Sequence, residues 1–374
     1  MKKLPFAKLL LLTAMMACQK DDPPPNPADG VDLTGIPYNP AAYNVTLPPG
    51  FPSMTVPADN PMTAEGIDLG RRLFFDPILS ADSTIACGSC HDPKKSFNDN
   101  LAFSPGVGGQ LGGRSSMAVI NVAFFEHGLF WDGRAASLED QALQPVENPV
   151  EMAESWNHVE VKLRRHSGYP ARFRKAFGIK NSNEITRNLA VKAIAQFERT
   201  LISANSRFDQ KIYQFENDPF LFSEMESDGY KLYFDDLSGS SSAAHCAHCH
   251  DGGPLLTSDA FFNNAIQDVQ TLDDFPDYGL GKVTGKQSDN GKFRAPTLRN
   301  IALSAPYMHD GRFQTLEEVV EHYNSGGHFI SNVNAQSVLP LHLTAYEKQA
   351  LVAFLHTFTD TSFVSNPNFQ NPFK

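Results

Sequence analysis

Apolar residues recur at helical spacing over much of the chain, and few stretches alternate between apolar and polar positions as half-buried strands do. Thr63 precedes one such pattern and is a residue type that caps helices, so we predict a helix from there to about Phe75. A long amphipathic helix is predicted where apolar residues repeat every three to four positions, at Ile185, Leu189, Ala193, Phe197 and Leu201. These patterns predict a mostly α-helical protein.

Two capping boxes mark helix starts in the second half of the chain. Thr344 with Glu347 predicts a C-terminal helix, which would carry Leu351, Phe354, Leu355 and Phe358. Thr315 with Glu318 predicts another helix that begins at Leu316. One face of that helix is formed by Leu316, Val319, Val320 and Tyr323, whereas His322 falls off it. If this face covers a cofactor, Tyr323 presents its polar tip there; otherwise it is an ordinary core tyrosine.

The sequence also repeats itself. Cys-Gly-Ser-Cys-His at 87–91 is matched by Cys-Ala-His-Cys-His at 246–250. A glycine lies 17 residues before the first cysteine in both copies, since 87 − 70 = 17 and 246 − 229 = 17. Asp-Gly-Arg follows each motif, at 132–134 and at 310–312. We therefore predict a tandem duplication, with domains at 62–220 and 221–374 joined around 215–226.

Cys-x-x-Cys-His is the attachment pattern of a c-type haem, in which two thiols bond to the porphyrin and the histidine binds iron. We predict two covalently bound haem c groups, one held by Cys87, Cys90 and His91 and the other by Cys246, Cys249 and His250. A zinc site that pairs the two motifs, or a redox dithiol, is the alternative. Structural zinc motifs usually lie closer together than these two, and a dithiol does not need the trailing histidine that appears twice.

The beginning of the chain carries a different signal. Lys2 and Lys3 precede an apolar run, and Ala17 stands before Cys18, the one cysteine outside the haem motifs. This pattern predicts a lipoprotein signal peptide at 1–18 with lipidation of Cys18. We therefore expect an exported protein, periplasmic or at the surface of a Gram-negative-type bacterium, attached to the membrane through its lipid only. The Pro-rich stretch 19–61 is interpreted as a solvated tether.

Length and charge narrow the partners. A chain of 374 residues can form two domains with cores of their own. The net charge of −11 argues against nucleic-acid binding and is compatible with a basic redox partner. The glycine-rich stretch 104–114 lacks the preceding strand and the Lys-Ser/Thr of a phosphate-binding loop, so we interpret it as a flexible loop near a cofactor.

Four further segments accompany the haem motifs: Phe-Trp-Asp-Gly-Arg-Ala-Ala at 130–136, Gln141 with Pro145, Pro-Val-Glu-Met at 149–152, and Ala-Pro-Tyr-Met-His-Asp-Gly-Arg at 305–312. Over roughly residues 62 to 358 the chain resembles the bacterial dihaem cytochrome c peroxidases and their relative MauG. The resemblance implies two cytochrome c-like domains. The N-terminal haem would reduce hydrogen peroxide, and the C-terminal haem would relay electrons from a small donor protein such as a cytochrome c or a cupredoxin. Many relatives are homodimers.

The resemblance also assigns roles to residues that the pattern alone would leave as a solvated loop acid, a helix residue and a core residue. Glu151 matches the acid/base that moves a proton between the peroxide oxygens, and Gln141 matches the amide that orients the peroxide. Trp131 matches a tryptophan between the haems. A calcium ion between the domains would be held partly by the backbone carbonyls of Ser304 and Pro306.

Three positions depart from the family pattern. Val107 stands where typical members place a second histidine over the N-terminal haem, and Tyr323 stands where they place a methionine over the C-terminal haem. Both changes resemble MauG, and they predict an open N-terminal iron and a tyrosine ligand on the other. A tyrosine ligand would make that haem harder to reduce than a methionine would. Ser115 replaces an asparagine of the calcium site.

Two other functions remain open alongside peroxide reduction. The chain could use peroxide to oxidise residues of a partner protein, as MauG does. Alternatively, it is a dihaem electron carrier without peroxide chemistry. An electron carrier needs two fixed ligands on each iron, and Val107 cannot supply one.

Overall fold

The structure is a computed structural model that describes residues 30–213, 221–234, 243–251, 253–333 and 338–374. The α-helices of the first half are α1 Ala64–Phe75, α2 Cys87–Cys90, α3 Leu138–Glu147, α4 Trp156–Arg165, α5 Tyr169–Phe177, α6 Arg187–Glu198 and α7 Arg207–Ile212. Those of the second half are α8 Glu224–Tyr233, α9 Cys246–His250, α10 Leu280–Thr284, α11 Leu316–Ser325, α12 Ala345–His356 and α13 Thr361–Ser365. Strands β1 Phe261–Phe262 and β2 Phe293–Arg294 pair antiparallel. The prediction of a mostly helical protein is confirmed.

Each half is organised around one pair of helices in close backbone contact. In the first half α1 packs on α6, and a Cβ at Gly70 would lie 1.8 Å from the carbonyl oxygen of Ala193. In the second half α8 packs on α12, and a Cβ at Gly229 would lie 2.0 Å from the carbonyl oxygen of Ala350. The two glycines that precede the haem motifs by the same offset are therefore the residues that let these helix pairs approach.

The predicted helix starts are confirmed. The Thr63 hydroxyl accepts from the amide of Gly66, and the Thr315 and Thr344 hydroxyls accept from the amides of Glu318 and Glu347. The helix predicted through Ile185 to Leu201 is shorter, because Thr186 caps it and the helix ends at Glu198. Ile185 and Leu201 are nevertheless fully buried beyond its two ends, so the apolar period outlasts the helix.

In the described residues, the chain passes from the larger first hydrophobic core to the second one between residues 201 and 208. Leu201 still belongs to the first core, whereas Phe208 belongs to the second. After α12 the chain returns, and Phe363 and Phe369 pack into the first core. The guanidinium of Arg71 holds this returning segment through the carbonyl of Gln370, at 2.8 and 2.6 Å. We call residues 361–370 the C-terminal strap.

The described part of the predicted tether, residues 30–61, is not a free solvated linker throughout. Leu33 is buried in the first core, and its amide donates to the carbonyl of Lys180 at 2.8 Å. The amide of Tyr43 donates to the carbonyl of Met62 at 3.0 Å. From residue 30 onward this stretch therefore includes segments packed on the first domain. The signal peptide with Cys18 lies outside the described residues. Within the described part of the chain, no helix combines the length and apolar character that crossing a membrane requires.

Candidate functional site

The first haem motif forms the short helix α2, which His91 terminates. The Nδ1 atom of His91 lies 3.0 Å from the carbonyl oxygen of Phe97, which fixes Nδ1 as the donor and leaves Nε2 with its lone pair. Burial lowers the pKa of His91, so the ring is held neutral. A neutral imidazole with a fixed tautomer is the form that binds iron.

The second motif repeats this arrangement on α9. The Nδ1 atom of His250 lies 3.0 Å from the carbonyl oxygen of Pro296, and burial lowers the pKa of His250 to about 4. His250 lines a largely apolar cavity together with Cys246 and Cys249. The shared geometry means that both halves present one oriented imidazole beside two thiols.

The cysteines fit thioether attachment better than the two alternatives. Burial raises the pKa of Cys87 far above that of a free thiol and the pKa of Cys90 to about 11, whereas a redox dithiol depends on a lowered pKa. Cys90 lines one cavity and Cys249 another, so the motifs do not converge on a shared zinc ion. Within the described residues no cluster of three or more His, Cys, Asp or Glu side chains is placed to hold a metal ion.

The cavity beside His91 measures about 960 Å³ and has polar side chains in its wall. Glu151 and Gln141 both line it. The side-chain amide of Asn148, the residue that caps the end of α3, donates to Oε1 of Glu151 at 2.6 Å. Burial raises the pKa of Glu151, against the lowering effects of the Asn148 hydrogen bond and the charge of Arg134. The arrangement is a half-buried, oriented carboxyl whose pKa lies above that of an exposed acid.

The glycine-rich loop has a definite task in this cavity. The amide of Val107 donates to the carbonyl of Glu151 at 2.8 Å. A Cβ at Gly106 would lie 2.2 Å from the carbonyl oxygen of Val150, so only glycine allows the loop to approach this closely. The loop therefore fixes the backbone that carries Glu151. Val107 itself does not line the cavity, and the described lining residues include no second histidine and no tyrosine.

The cavity beside His250 differs in its ligands. Leu316, Val319, Val320 and Tyr323 of α11 all line it, as the predicted face requires. His322 points elsewhere, with Nε2 at 2.8 Å from the carbonyl of Asn264. Burial raises the pKa of the Tyr323 phenol, so without a cation it is neutral. The side chain of Asn264 hydrogen-bonds Tyr323 and also donates to the sulfur of Met308 at 3.3 Å. This sulfur lies in the same wall and is a second group that could bind iron.

Trp131 lines both cavities and so forms the wall between them. Its indole nitrogen donates to the carbonyl of Ser115 at 2.9 Å. Its ring meets His309 edge-on at 6.5 Å between centroids, and His309 stacks on Phe293 at 3.7 Å. A continuous set of aromatic rings therefore extends from the junction into the second domain.

Arg294 is the other side chain in both walls, and nothing in the sequence pattern singled it out. It is fully buried, contacts Asp259, and its amide donates to the carbonyl of Trp131 at 2.9 Å. Burial lowers the pKa of Arg294 to about 10. Since it joins the backbone of Trp131 to the second domain, it fixes the position of the intervening wall.

The segment expected to hold calcium lies at the same junction. The Asn100 amide donates to the carbonyls of Leu303 and Ala305, at 2.9 and 2.7 Å, which flank the predicted ligand Ser304. The Ser115 hydroxyl donates to the carbonyl of Met308 at 2.8 Å. Direct hydrogen bonds thus connect the two domains beside the carbonyls of Ser304 and Pro306.

The family model for di-haem cytochrome c peroxidase matches residues 64–217 and 224–361. The chain belongs to this family. It is 35% identical over 321 residues to the cytochrome c551 peroxidase of Nitrosomonas europaea, covering 86% of each chain. It is 33% identical to the methylamine utilization protein MauG of Methylorubrum extorquens, covering 82% of this chain and 81% of that one. The crystal structure of a MauG-like protein associated with microbial copper homeostasis superposes with a TM-score of 0.80 at 34% identity, covering 89% of this chain and all of that one.

Membership of the di-haem cytochrome c peroxidase family agrees with the predicted fold of two tandem haem domains. The sequence analysis did not identify three polar side chains that line the N-terminal cavity: Arg114, Glu198 and Arg294. Arg114 joins Asp132 of its own domain to Asp277 of the second domain, with nitrogen–oxygen distances of 2.7 Å to each. A lone acid or base carries no local signal of such distant partners.

Proposed function

We propose that this chain is a dihaem peroxidase that reduces hydrogen peroxide to water, with electrons from a small redox protein such as a cytochrome c. The relatives named cytochrome c peroxidase support this reaction. The observation that carries the proposal is the difference between the two cavities. The described wall of the N-terminal cavity has the Glu151 carboxyl but no tyrosine and no histidine besides His91, whereas the C-terminal cavity is lined by three tyrosines, one of which is Tyr323.

Cys87, Cys90 and His91 would hold one haem c, and Cys246, Cys249 and His250 the other. The bound iron supplies the electron transfer and the Lewis acidity that peroxide reduction needs. The fixed Nδ1 hydrogen bonds of both histidines support this assignment, since they leave Nε2 available as ligand.

Glu151 is the acid/base of the reaction in this proposal. Its carboxylate takes the proton from one peroxide oxygen and returns it to the other, so that the O–O bond breaks as water leaves. Its raised pKa suits both halves of this transfer, because a carboxyl whose pKa lies closer to neutral pH both accepts and releases a proton readily. Asn148 holds one carboxyl oxygen, which orients the other. Gln141 lies on α3, two turns before Asn148, and orients the peroxide.

Trp131 and Tyr323 complete the assignment. Trp131 carries oxidising equivalents between the domains, a role supported by its place in both cavity walls. Tyr323 would hold the C-terminal haem as a second iron ligand, and the positive charge of ferric iron would favour its phenolate form. A hard anionic ligand of this kind favours the higher oxidation states of the iron.

The calcium site, the lipid anchor and the cellular location are finer parts of the same proposal. The carbonyls of Ser304 and Pro306 would contribute to a calcium site, with Ser115 in the place of the usual asparagine. Lipidated Cys18 would attach an exported protein to a membrane. The calcium site rests on the family resemblance. The lipid anchor and export rest on the signal-peptide pattern, whose residues lie outside the described part of the chain.

The test is the Glu151→Gln variant of the haem-loaded protein. Removing a positioned acid/base lowers turnover by about 10²–10⁴-fold, so peroxide consumption with reduced cytochrome c should fall by that factor. The resting spectrum, with one high-spin and one low-spin ferric haem, should not change. Glu147→Gln, at an exposed position on α3, is the matched control. Turnover within twofold of the wild type would remove Glu151 from this role.

Oxidation of a partner protein is the second candidate, favoured by the identity to MauG and by Tyr323. The two functions differ in the source of electrons. A peroxidase consumes peroxide in step with oxidation of a reduced cytochrome, whereas the alternative requires covalent changes in a protein substrate. If both ferric irons are low-spin at rest and peroxide does not react, the chain is an electron carrier.

A further inference from the structure

One buried acid in the N-terminal cavity has no part in the reaction so far. Glu198 is the last residue of α6, is 5% exposed, and lines the cavity that also contains Glu151 and Gln141. Its Oε2 atom is buried and has no hydrogen-bond partner in the described structure. A buried carboxyl oxygen without a partner is costly, so it calls for an occupant of the cavity or a function.

The neighbouring arginine does not neutralise this carboxyl. Arg199 is committed to Glu139, with Nη1–Oε1 and Nη2–Oε2 distances of 2.9 and 3.0 Å. Burial is the largest influence on Glu198 and raises its pKa to about 8, with Arg199 lowering the pKa and Glu139 raising it. The charges that face Glu198 from its own helix and from α3 thus oppose each other. At neutral pH the carboxyl is therefore mostly protonated.

Glu198 and Glu151 both act electrostatically on Cys87. After burial, the charge of Glu198 is the strongest influence that raises the pKa of Cys87, and the charge of Glu151 adds to it. The first thioether position thus has electrostatic contact with both carboxyls. A proton held by Glu198 is stored in the same cavity where peroxide would react.

We propose that Glu198 is the proton donor of the N-terminal cavity, an inference that rests on the proposed function. Reduction follows H2O2 + 2e⁻ + 2H⁺ → 2H2O, and the electrons come from the donor protein. Glu151 only moves a proton between the two peroxide oxygens, so it adds none. Glu198 gives up its O–H proton to the oxygen that remains after the first water leaves, and a new O–H bond forms there. The second proton of the equation reaches the same oxygen from solvent, which completes the second water. The resulting carboxylate takes a proton from solvent before the next cycle.

Glu198→Gln in the haem-loaded protein tests this assignment. Glutamine keeps the size of the side chain and is uncharged like the protonated acid, so a purely structural role survives the change. We expect the first reaction with one equivalent of peroxide to stay within twofold of wild type. The return to the resting spectrum, and proton uptake followed with an indicator dye, should slow by about 10²-fold. Glu147→Gln is again the control.

Infrared spectroscopy gives a readout that does not depend on turnover. The wild-type protein should show the carbonyl stretch of a protonated carboxyl at neutral pH, and this band should be absent from Glu198→Gln. Wild-type proton uptake in the variant, or a band that persists in it, would overturn the proposal. Equal slowing of both phases would also overturn it, because that indicates a disturbed cavity. A wild-type protein that does not reduce peroxide would instead contradict the proposed function itself.

Discussion

Replacing Gly70 by alanine tests the contact that organises the first domain. The new Cβ would lie 1.8 Å from the carbonyl oxygen of Ala193, where ordinary contact begins at 3.4 Å. Helices α1 and α6 would have to separate by about 1.6 Å, and backbone cannot rotate away as a side chain can. Overpacking of a core costs up to about 3 kcal/mol, and the better helix propensity of alanine returns about 1 kcal/mol. The net loss of unfolding free energy should be about 2 kcal/mol.

Denaturant unfolding of the haem-loaded protein, followed by circular dichroism and haem absorption, measures this loss. Gly35→Ala is the matched control, because a Cβ there meets nothing within 4 Å. Gly229→Ala should destabilise the second domain similarly, since its Cβ would lie 2.0 Å from the carbonyl oxygen of Ala350. If Gly70→Ala unfolds at the same denaturant concentration as Gly35→Ala, the close helix contact is not what the first domain requires.

Two further predictions concern the C-terminal iron and the domain junction. Tyr323→Phe should abolish the low-spin electron paramagnetic resonance signal of that iron, since the phenolate is lost. Tyr346→Phe, at an exposed site, is the control. An unchanged signal in Tyr323→Phe would identify another ligand. Burial raises the pKa of Asp277 but its hydrogen bonds and the charge of Arg114 outweigh this, so the pKa lies below 3.8. The ion pair therefore stabilises the protein fully above about pH 4 and is lost as pH falls further. Asp277→Asn should lower the unfolding free energy at neutral pH by about 1 kcal/mol. It should also weaken the fall of the melting temperature at acidic pH, whereas Asp268→Asn, at an exposed site, should do neither. An unaltered pH dependence of the melting temperature in Asp277→Asn would refute this.

Local chemistry explains what could be read from the sequence. A capping box operates within four residues, so the start of α11 was predictable, and helical geometry then fixed which side of it carries Tyr323. The two Cys-x-x-Cys-His motifs are equally local, because in each half the two cysteines and the histidine lie within five consecutive residues at a short helix.

What could not be predicted depends on partners distant in sequence. Glu198 lines the same cavity as Glu151, which lies 198 − 151 = 47 residues earlier, and Arg294 joins a wall built by the other domain. The helix period continued to Ile185 and Leu201 because burial, which shapes the pattern, does not end where the helix does. The roles of Glu151 and Gln141 needed the family resemblance, since neither residue type has a local signature of catalysis.

The C-terminal strap has a consequence for how the protein is made. Phe363 and Phe369 belong to the same hydrophobic core as Leu33, so 369 − 33 = 336 residues separate the first and last pieces of that core. During synthesis on the ribosome the second domain can complete its own core before the first one is sealed. The core of the first domain can therefore be completed only after the chain of the second domain has been made.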